Sequence, residues 1–307
     1  MTEPRQQDSR EARPSGDGLD WSVEGRDWPN REASRFVTAG GLRWHVQVMG
    51  QGPALLLLHG TGAATHSWRD LAPILAERFT VCAPDLPGHG FTDAAPPGRA
   101  TLPGLAQAVA ALCAKLDVAP ALAVGHSAGA AILLRMALDG LVAPRGIVAL
   151  NGALLPFRGV AGQIFSPLAK LLVWNPLVPR LFAWGAGSPA SVGRLVSDTG
   201  STLDPRGVEF YGRLLRHPSH VEGALRMMAH WNLDELQRDL PRLAAPLLLV
   251  VGSGDRAVPP SEADRLRAIM PAARVTVLRG LGHLAHEEKP AEVAERIVGF
   301  ATEQGVA

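Results

Sequence analysis

Residues Gly125–Gly129 read G-H-S-A-G, and their neighbours restrict what the chain can fold into. The short apolar run Ala121–Gly125 leads in as a strand, and Ala130–Leu138 leads out as a helix. A G-x-S-x-G segment between strand and helix forms a sharp bend that lifts its serine above the end of a sheet. Glycines two before and two after the serine are needed because side chains there would collide. Ser127 is therefore the candidate nucleophile, and the rest of the chain must supply a base, an acid and donors for a developing oxyanion.

The remaining pattern fits such a sheet. Arg35–Thr38, Gly40-Gly41 and Leu42–Val48 read as an antiparallel hairpin at a sheet edge, with Trp44, Val46 and Val48 alternating against Arg43, His45 and Gln47. Ala54–Leu58 is almost continuously aliphatic, as expected of a central parallel strand covered on both faces. Further strands are expected at Phe79–Ala83, Ile147–Leu150, Leu247–Val251 and Val275–Leu278. Helices are expected at Trp68–Glu77, Leu102–Leu116, Ser261–Ile269 and Ala291–Phe300, with a glycine-rich loop at Asp85–Gly90. This alternation predicts an open α/β fold, a mostly parallel sheet with helices on both faces.

Between Gly152 and about Leu243 the rhythm stops, and prolines punctuate short helices. An insert after the strand that closes at Asn151 would stand over the carboxyl ends of the strands, where such sheets bind ligands. The expected organisation is a mobile tail over residues 1–20, a first core part over 21–152, a helical cap over 153–243 and a second core part over 244–307. Trp21 and Trp28 are expected to pack along the domain. Within the cap, Ala153–Ser197 carries Arg158, Lys170, Arg180 and Arg194 and no acid, among many apolar residues that include Trp174 and Trp184. This reads either as a small core with solvated cations or as an apolar pocket with a positive rim. Such a rim would suit a lipophilic carboxylate or an anionic membrane surface.

Thirty Lys plus Arg against 29 Asp plus Glu give a net charge of +1, which offers no ground for nucleic-acid binding. The first twenty residues have no apolar segment of a signal peptide, and no stretch is long enough for a transmembrane helix. Cys82 and Cys113, the only cysteines, suit a reducing cytoplasm and read as small buried side chains.

A serine hydroxyl needs a base, and the base needs an orienting carboxylate. His283, in G-L-G-H-L-A-H-E-E after the last expected strand, is the candidate base, with His286 as the rival in the same loop. Asp255, after Leu247–Val251, is the candidate acid. The backbone amides of Thr61 and Ala128 are the candidate oxyanion donors. His59, Gly60 and His126 are expected to shape or line the pocket with Trp174 and Trp184. Asp85 and His89 are expected to organise the glycine loop. His217, His220 and His230 lack metal-ligand spacing, so neither a metal nor a cofactor is expected. Neither glycine loop has nucleotide-binding spacing.

From about Leu42 to Phe300, H-G-T-G, D-L-P-G-H-G, G-H-S-A-G, G-S-G-D-R-A-V-P and G-H-L-A-H follow the order of the α/β-hydrolase superfamily, which the chain resembles. Ser127, Asp255 and His283 stand in that superfamily's nucleophile, acid and base order. The segments D-G-L-D-W, G-R-D-W-P-N-R-E-A-S-R-F-V, G-G-L-R-W-H-V-Q and L-L-L-L-H-G-T-G-A-A-T-H-S-W-R resemble the magnesium-chelatase accessory hydrolases of bacteriochlorophyll biosynthesis. The complete ordered triad predicts a serine hydrolase acting on a lipophilic or tetrapyrrole-related ester, the cysteine usage a cytoplasmic protein and the basic apolar cap a peripheral membrane surface. The resemblance implies a step at or near magnesium insertion into protoporphyrin, with magnesium-chelatase subunits as candidate partners. The alternatives are a non-catalytic porphyrin-binding or chelatase-assisting protein, a C–C hydrolase and a cofactor-free perhydrolase. A carboxylate nucleophile, as in haloalkane dehalogenases and epoxide hydrolases, is disfavoured because serine holds that position.

Overall fold

A computed structural model describes residues 18–156 and 188–307. Among them, eight strands form one sheet: β1 (Ser34–Ala39), β2 (Leu42–Met49), β3 (Ala54–Leu58), β4 (Thr80–Pro84), β5 (Leu122–His126), β6 (Gly146–Leu150), β7 (Leu247–Gly252) and β8 (Arg274–Leu278). The spatial order is β1-β2-β4-β3-β5-β6-β7-β8. β2 pairs antiparallel with β1 and β4, and every pairing from β4 through β8 is parallel. The expected edge hairpin is present, closed through Gly40 and Gly41 at φ 58° and 80°.

Successive residues of a strand point to opposite faces, so a wholly aliphatic strand must be covered twice. In β3, Leu56 and Leu58 join the face packed by helix Leu102–Lys115 and helix Ala128–Leu138. Leu55 and Leu57 join the opposite face, packed by Trp68, Leu71, Leu75 and the final helix Pro290–Glu303. Cys82 and Cys113 both lie buried in the first of these cores, and burial pushes their thiols up to about 12 and about 11.

The helix expected at Trp68–Glu77 is divided into a 3-10 turn, Thr65–Trp68, and a helix, Leu71–Ala76. Pro73 explains the break: it has no N–H to bond the carbonyl of Arg69, four residues back. That carbonyl instead accepts the Asn30 side-chain amide at 3.1 Å. Trp28 is 2% exposed, donates its ring N–H to Thr65 Oγ1 at 2.9 Å and packs edge-on against Phe91 and Phe210. It thereby ties the N-terminal segment to helix Pro205–Leu215, one of the helices between β6 and β7. The others described there are Pro189–Asp198, Pro218–Ala229 and Asp234–Asp239.

Six of the described histidines are buried where the charged ring is disfavoured. Burial lowers the pKa of His59, His66, His89, His126, His220 and His286, reaching about 4 for His220 and about 3 for His286. A histidine whose folded pKa lies below its unfolded value of 6.5 binds fewer protons when folded. Its contribution to stability is intact above pH 6.5 and is lost as pH falls toward the folded value. For His220 this loss is on the order of 3 kcal/mol. Glu287, whose carboxyl burial pushes upward, offsets part of it. Urea midpoints are expected to fall steadily from pH 6.5 to 4. His286→Gln, which can still donate to Ser67, is expected to flatten that slope; an unchanged slope would contradict the assignment.

Candidate active site

The bend after β5 is one residue long. Ser127 sits at φ 51°, ψ −118°, and helix Ala128–Leu138 starts at the next residue, two earlier than expected. A side chain at positive φ is strained and persists only when its surroundings over-determine it. Here the Ser127 N–H donates to Leu150 O at 3.0 Å, and its carbonyl accepts from Ala130 and Ala153 N–H at 3.2 Å each. A Cβ on Gly129 would lie 2.1 Å from Leu58 O, and one on Gly125 would lie 2.4 Å from Ala130 N. The two glycines are thus required by the crossing of β5, β3 and the helix.

The loop after β3 forms a tight turn, with Ala63 N–H donating to Gly60 O at 3.2 Å and Gly62 at φ 77°. The second residue of such a turn, Thr61, does not spend its N–H on the turn's own bond. Ala128, first in its helix, likewise has no intrahelical partner for its N–H. His59 accepts Leu86 N–H at Nε2 (2.9 Å) and donates from Nδ1 to Gly60 O (2.8 Å), so it is neutral. His59 and Gly60 are buried and are not among the residues lining the cavity beside Ser127.

Asp255 follows β7. Its Oδ1 accepts the N–H groups of Ala257 and Val258 at 2.8 Å each. Its Oδ2 accepts His283 Nδ1–H at 2.8 Å and the Asn151 amide at 2.6 Å. With Nδ1 occupied as donor, Nε2 is the nitrogen His283 has free to accept a proton. Asn151, at φ 48°, also donates to Gly282 O at 3.2 Å, so one amide braces both the carboxylate and the histidine loop. The sequence offered only an Asn-Gly pair at a strand end as its signal.

His126 Nε2 donates to the His283 carbonyl at 2.9 Å, and the two rings are 4.7 Å apart. The residue before Ser127 is therefore bonded to the backbone of His283. His286 turns the other way: its Nε2 donates to Ser67 Oγ at 2.8 Å, and Ser67 donates to Glu287 at 2.8 Å. Glu287 also accepts Tyr211 O–H at 2.7 Å and pairs with Arg69. Asp85 accepts from His45, Thr65 N–H and Phe91 N–H. Burial acts to raise its carboxyl, but His45 and these donors hold it well below the usual range.

Ser127, His283, His126 and Thr61 line one cavity of about 220 Å³. Its other described walls are mostly apolar, among them Val192, Leu195, Val196, Leu215 and Leu284, with the Tyr211 ring at one side. The Tyr211 hydroxyl is engaged by Glu287. Arg194, on the helix that supplies Val192 and Val196, is exposed and is not among the lining residues. Trp174, Trp184, Arg158, Lys170 and Arg180 lie outside the described residues. Among the described residues no helix is long and apolar enough to cross a membrane.

A family model described as "Alpha/beta hydrolase family" matches residues 55–296. The magnesium-chelatase 30 kDa subunit of Rhodobacter capsulatus is 43% identical over 263 residues, covering 85% of this chain and 92% of that protein. A pimeloyl-[acyl-carrier protein] methyl ester esterase of Xanthomonas oryzae pv. oryzae is 28% identical, covering 83% and 98%. An alpha/beta hydrolase fold protein from Burkholderia ambifaria superposes with a TM-score of 0.73 at 22% identity, covering 87% and 97%. The chain therefore belongs to the α/β-hydrolase family.

Proposed function

We propose that this protein is a serine hydrolase acting on an ester of a lipophilic or tetrapyrrole-related compound. The observation that carries the reading is the pairing of His283 Nδ1 with Asp255 Oδ2 at 2.8 Å behind a cavity lined by both His283 and Ser127. Ser127 Oγ attacks the ester carbonyl while His283 Nε2 takes its proton, and Asp255 holds the imidazole in the accepting tautomer. The N–H groups of Thr61 and Ala128 receive the charge that forms on the carbonyl oxygen. His283 then gives its proton to the leaving alkoxide, releasing the alcohol and an acyl-serine. Water, deprotonated by the same nitrogen, attacks that acyl group and frees the acid and the serine. The same machinery would also serve a C–C hydrolase or a perhydrolase, whose substrates differ in the bond presented to Ser127.

In this reading residues 153–243 are a cap, and the apolar walls from Val192 to Leu215 hold the acyl or ring portion of the substrate. No cofactor takes part. The reaction is cytoplasmic, at or beside a membrane where a lipophilic substrate partitions.

A second reading is favoured by the 43% identical relative named as a magnesium-chelatase subunit. In it the protein binds a porphyrin or assists the chelatase, and hydrolysis is not required.

Two experiments divide these readings. Treatment with an alkyl fluorophosphonate is expected to add one phosphonyl group at Ser127, with labelling absent in Ser127→Ala and slowed at least about 10³-fold in His283→Ala. Labelling that survives in folded Ser127→Ala would remove the mechanism. In a strain lacking this gene, Ser127→Ala is expected to leave pigment synthesis unrestored although the variant folds. Full restoration would favour assistance without catalysis.

A further inference from the structure

Helix Pro218–Ala229 reaches the Thr61 loop with residues that lie along one of its faces. Gly223 meets Gly88 so closely that a Cβ would lie 2.0 Å from the Gly88 carbonyl oxygen, which brings the helix down to backbone contact. Met227 Sδ accepts Thr61 Oγ1–H at 3.5 Å. His220, 1% exposed, spends both ring nitrogens on main chain. Gly90 N–H donates to its Nδ1 at 3.0 Å, so Nε2 carries the hydrogen and donates to Gly62 O at 3.1 Å.

The target of that second bond is the carbonyl of a glycine at positive φ. Gly62 has φ 77°, and a Cβ built on it would meet nothing within 4 Å. A glycine at positive φ with no side chain to hold it leaves the backbone there conformationally permissive. Gly60 O is fixed by Ala63 N–H and His59, and Gly62 O is fixed by His220. The peptide that presents Gly62 O also carries the Ala63 N–H, and the Gly60 carbonyl which that N–H bonds shares its peptide with the Thr61 N–H, so the His220 bond reaches the Thr61 amide through one intervening hydrogen bond.

We propose that His220 is a positioning residue, a neutral imidazole that straps the Thr61 loop to the Gly88–Gly90 loop and, through the Ala63 N–H bond to Gly60 O, steadies the peptide that carries the Thr61 N–H. Its kinetic consequence rests on the hydrolytic reading above; its structural consequence does not. It also makes the inserted helix part of the apparatus that would receive the oxyanion.

The test compares the wild type with His220→Ala, His220→Gln and His220→Asn, using 4-nitrophenyl butyrate turnover and hydrogen exchange of residues 60–63. Glutamine places its amide nitrogen near the Nε2 position and keeps the bond to Gly62. Asparagine places its amide oxygen near Nδ1 and keeps only the bond to Gly90. His220→Ala and His220→Asn are expected to lower kcat about 10- to 100-fold with KM changed less than about threefold, and His220→Gln to recover most of the loss. Exchange at 60–63 is expected to quicken in the Ala and Asn variants alone. A raised KM at unchanged kcat, a Gln variant no better than Asn, or unchanged exchange would overturn the strap. Should the alanine variant fail to fold, the Gln and Asn pair carries the same comparison. Should the wild type itself show no Ser127-dependent turnover, the hydrolytic reading fails separately, and the exchange rates alone decide the strap: quickening in Ala and Asn supports it, and no change refutes it.

Discussion

The arrangement depends on three stretches of backbone meeting at Ser127 with almost no space between them. Leu58 O lies 2.1 Å from where a Cβ of Gly129 would be, Ala130 N lies 2.4 Å from where a Cβ of Gly125 would be, and Leu150 O accepts the Ser127 N–H. The strain of a serine at φ 51° is contained because its N–H is bonded to Leu150 O and its carbonyl to the N–H groups of Ala130 and Ala153. A nucleophile on a softer loop would relax out of this region and withdraw its hydroxyl.

The other candidate residues are held by polar contacts between loops. Asn151 braces Asp255 from the end of β6, His126 braces the His283 backbone from the end of β5, and Asp85 gathers donors from three segments. These groups are buried, so each needs its partner: an unpaired charge or amide there would cost more than the bond itself contributes. A neutral buried imidazole can accept from one loop at one nitrogen and donate to another from the other. His59 does this between Leu86 and Gly60, and His220 between Gly90 and Gly62.

The sheet was legible because its signal is local. The aliphatic run Ala54–Leu58 became β3 with the same ends, and Ser261–Ile269 became a helix with the same ends. The helix expected from Trp68 missed its division, since a proline's effect on a carbonyl four residues back depends on whether something else satisfies that carbonyl; Asn30, far earlier in the chain, does. The placement of Ser127, Asp255 and His283 after strand ends was legible because each stands in or near a recognisable turn. Asn151, Tyr211, Glu287 and His220 were not, because their importance comes from partners distant in sequence. His220 in particular carries no spacing motif, and only the approach of Gly223 to Gly88 brings it to the Thr61 loop.

The central claim is that Ser127, His283 and the amides of Thr61 and Ala128 converge on one reacting carbonyl. Its most direct test is a crystal structure of the protein after reaction with a fluorophosphonate. The account predicts phosphorus bonded to Ser127 Oγ, with the phosphonyl oxygen about 2.7–3.1 Å from both amide nitrogens and His283 Nε2 beside the adduct. A phosphonyl oxygen turned away from Thr61 and Ala128, or an adduct on another side chain, would contradict it.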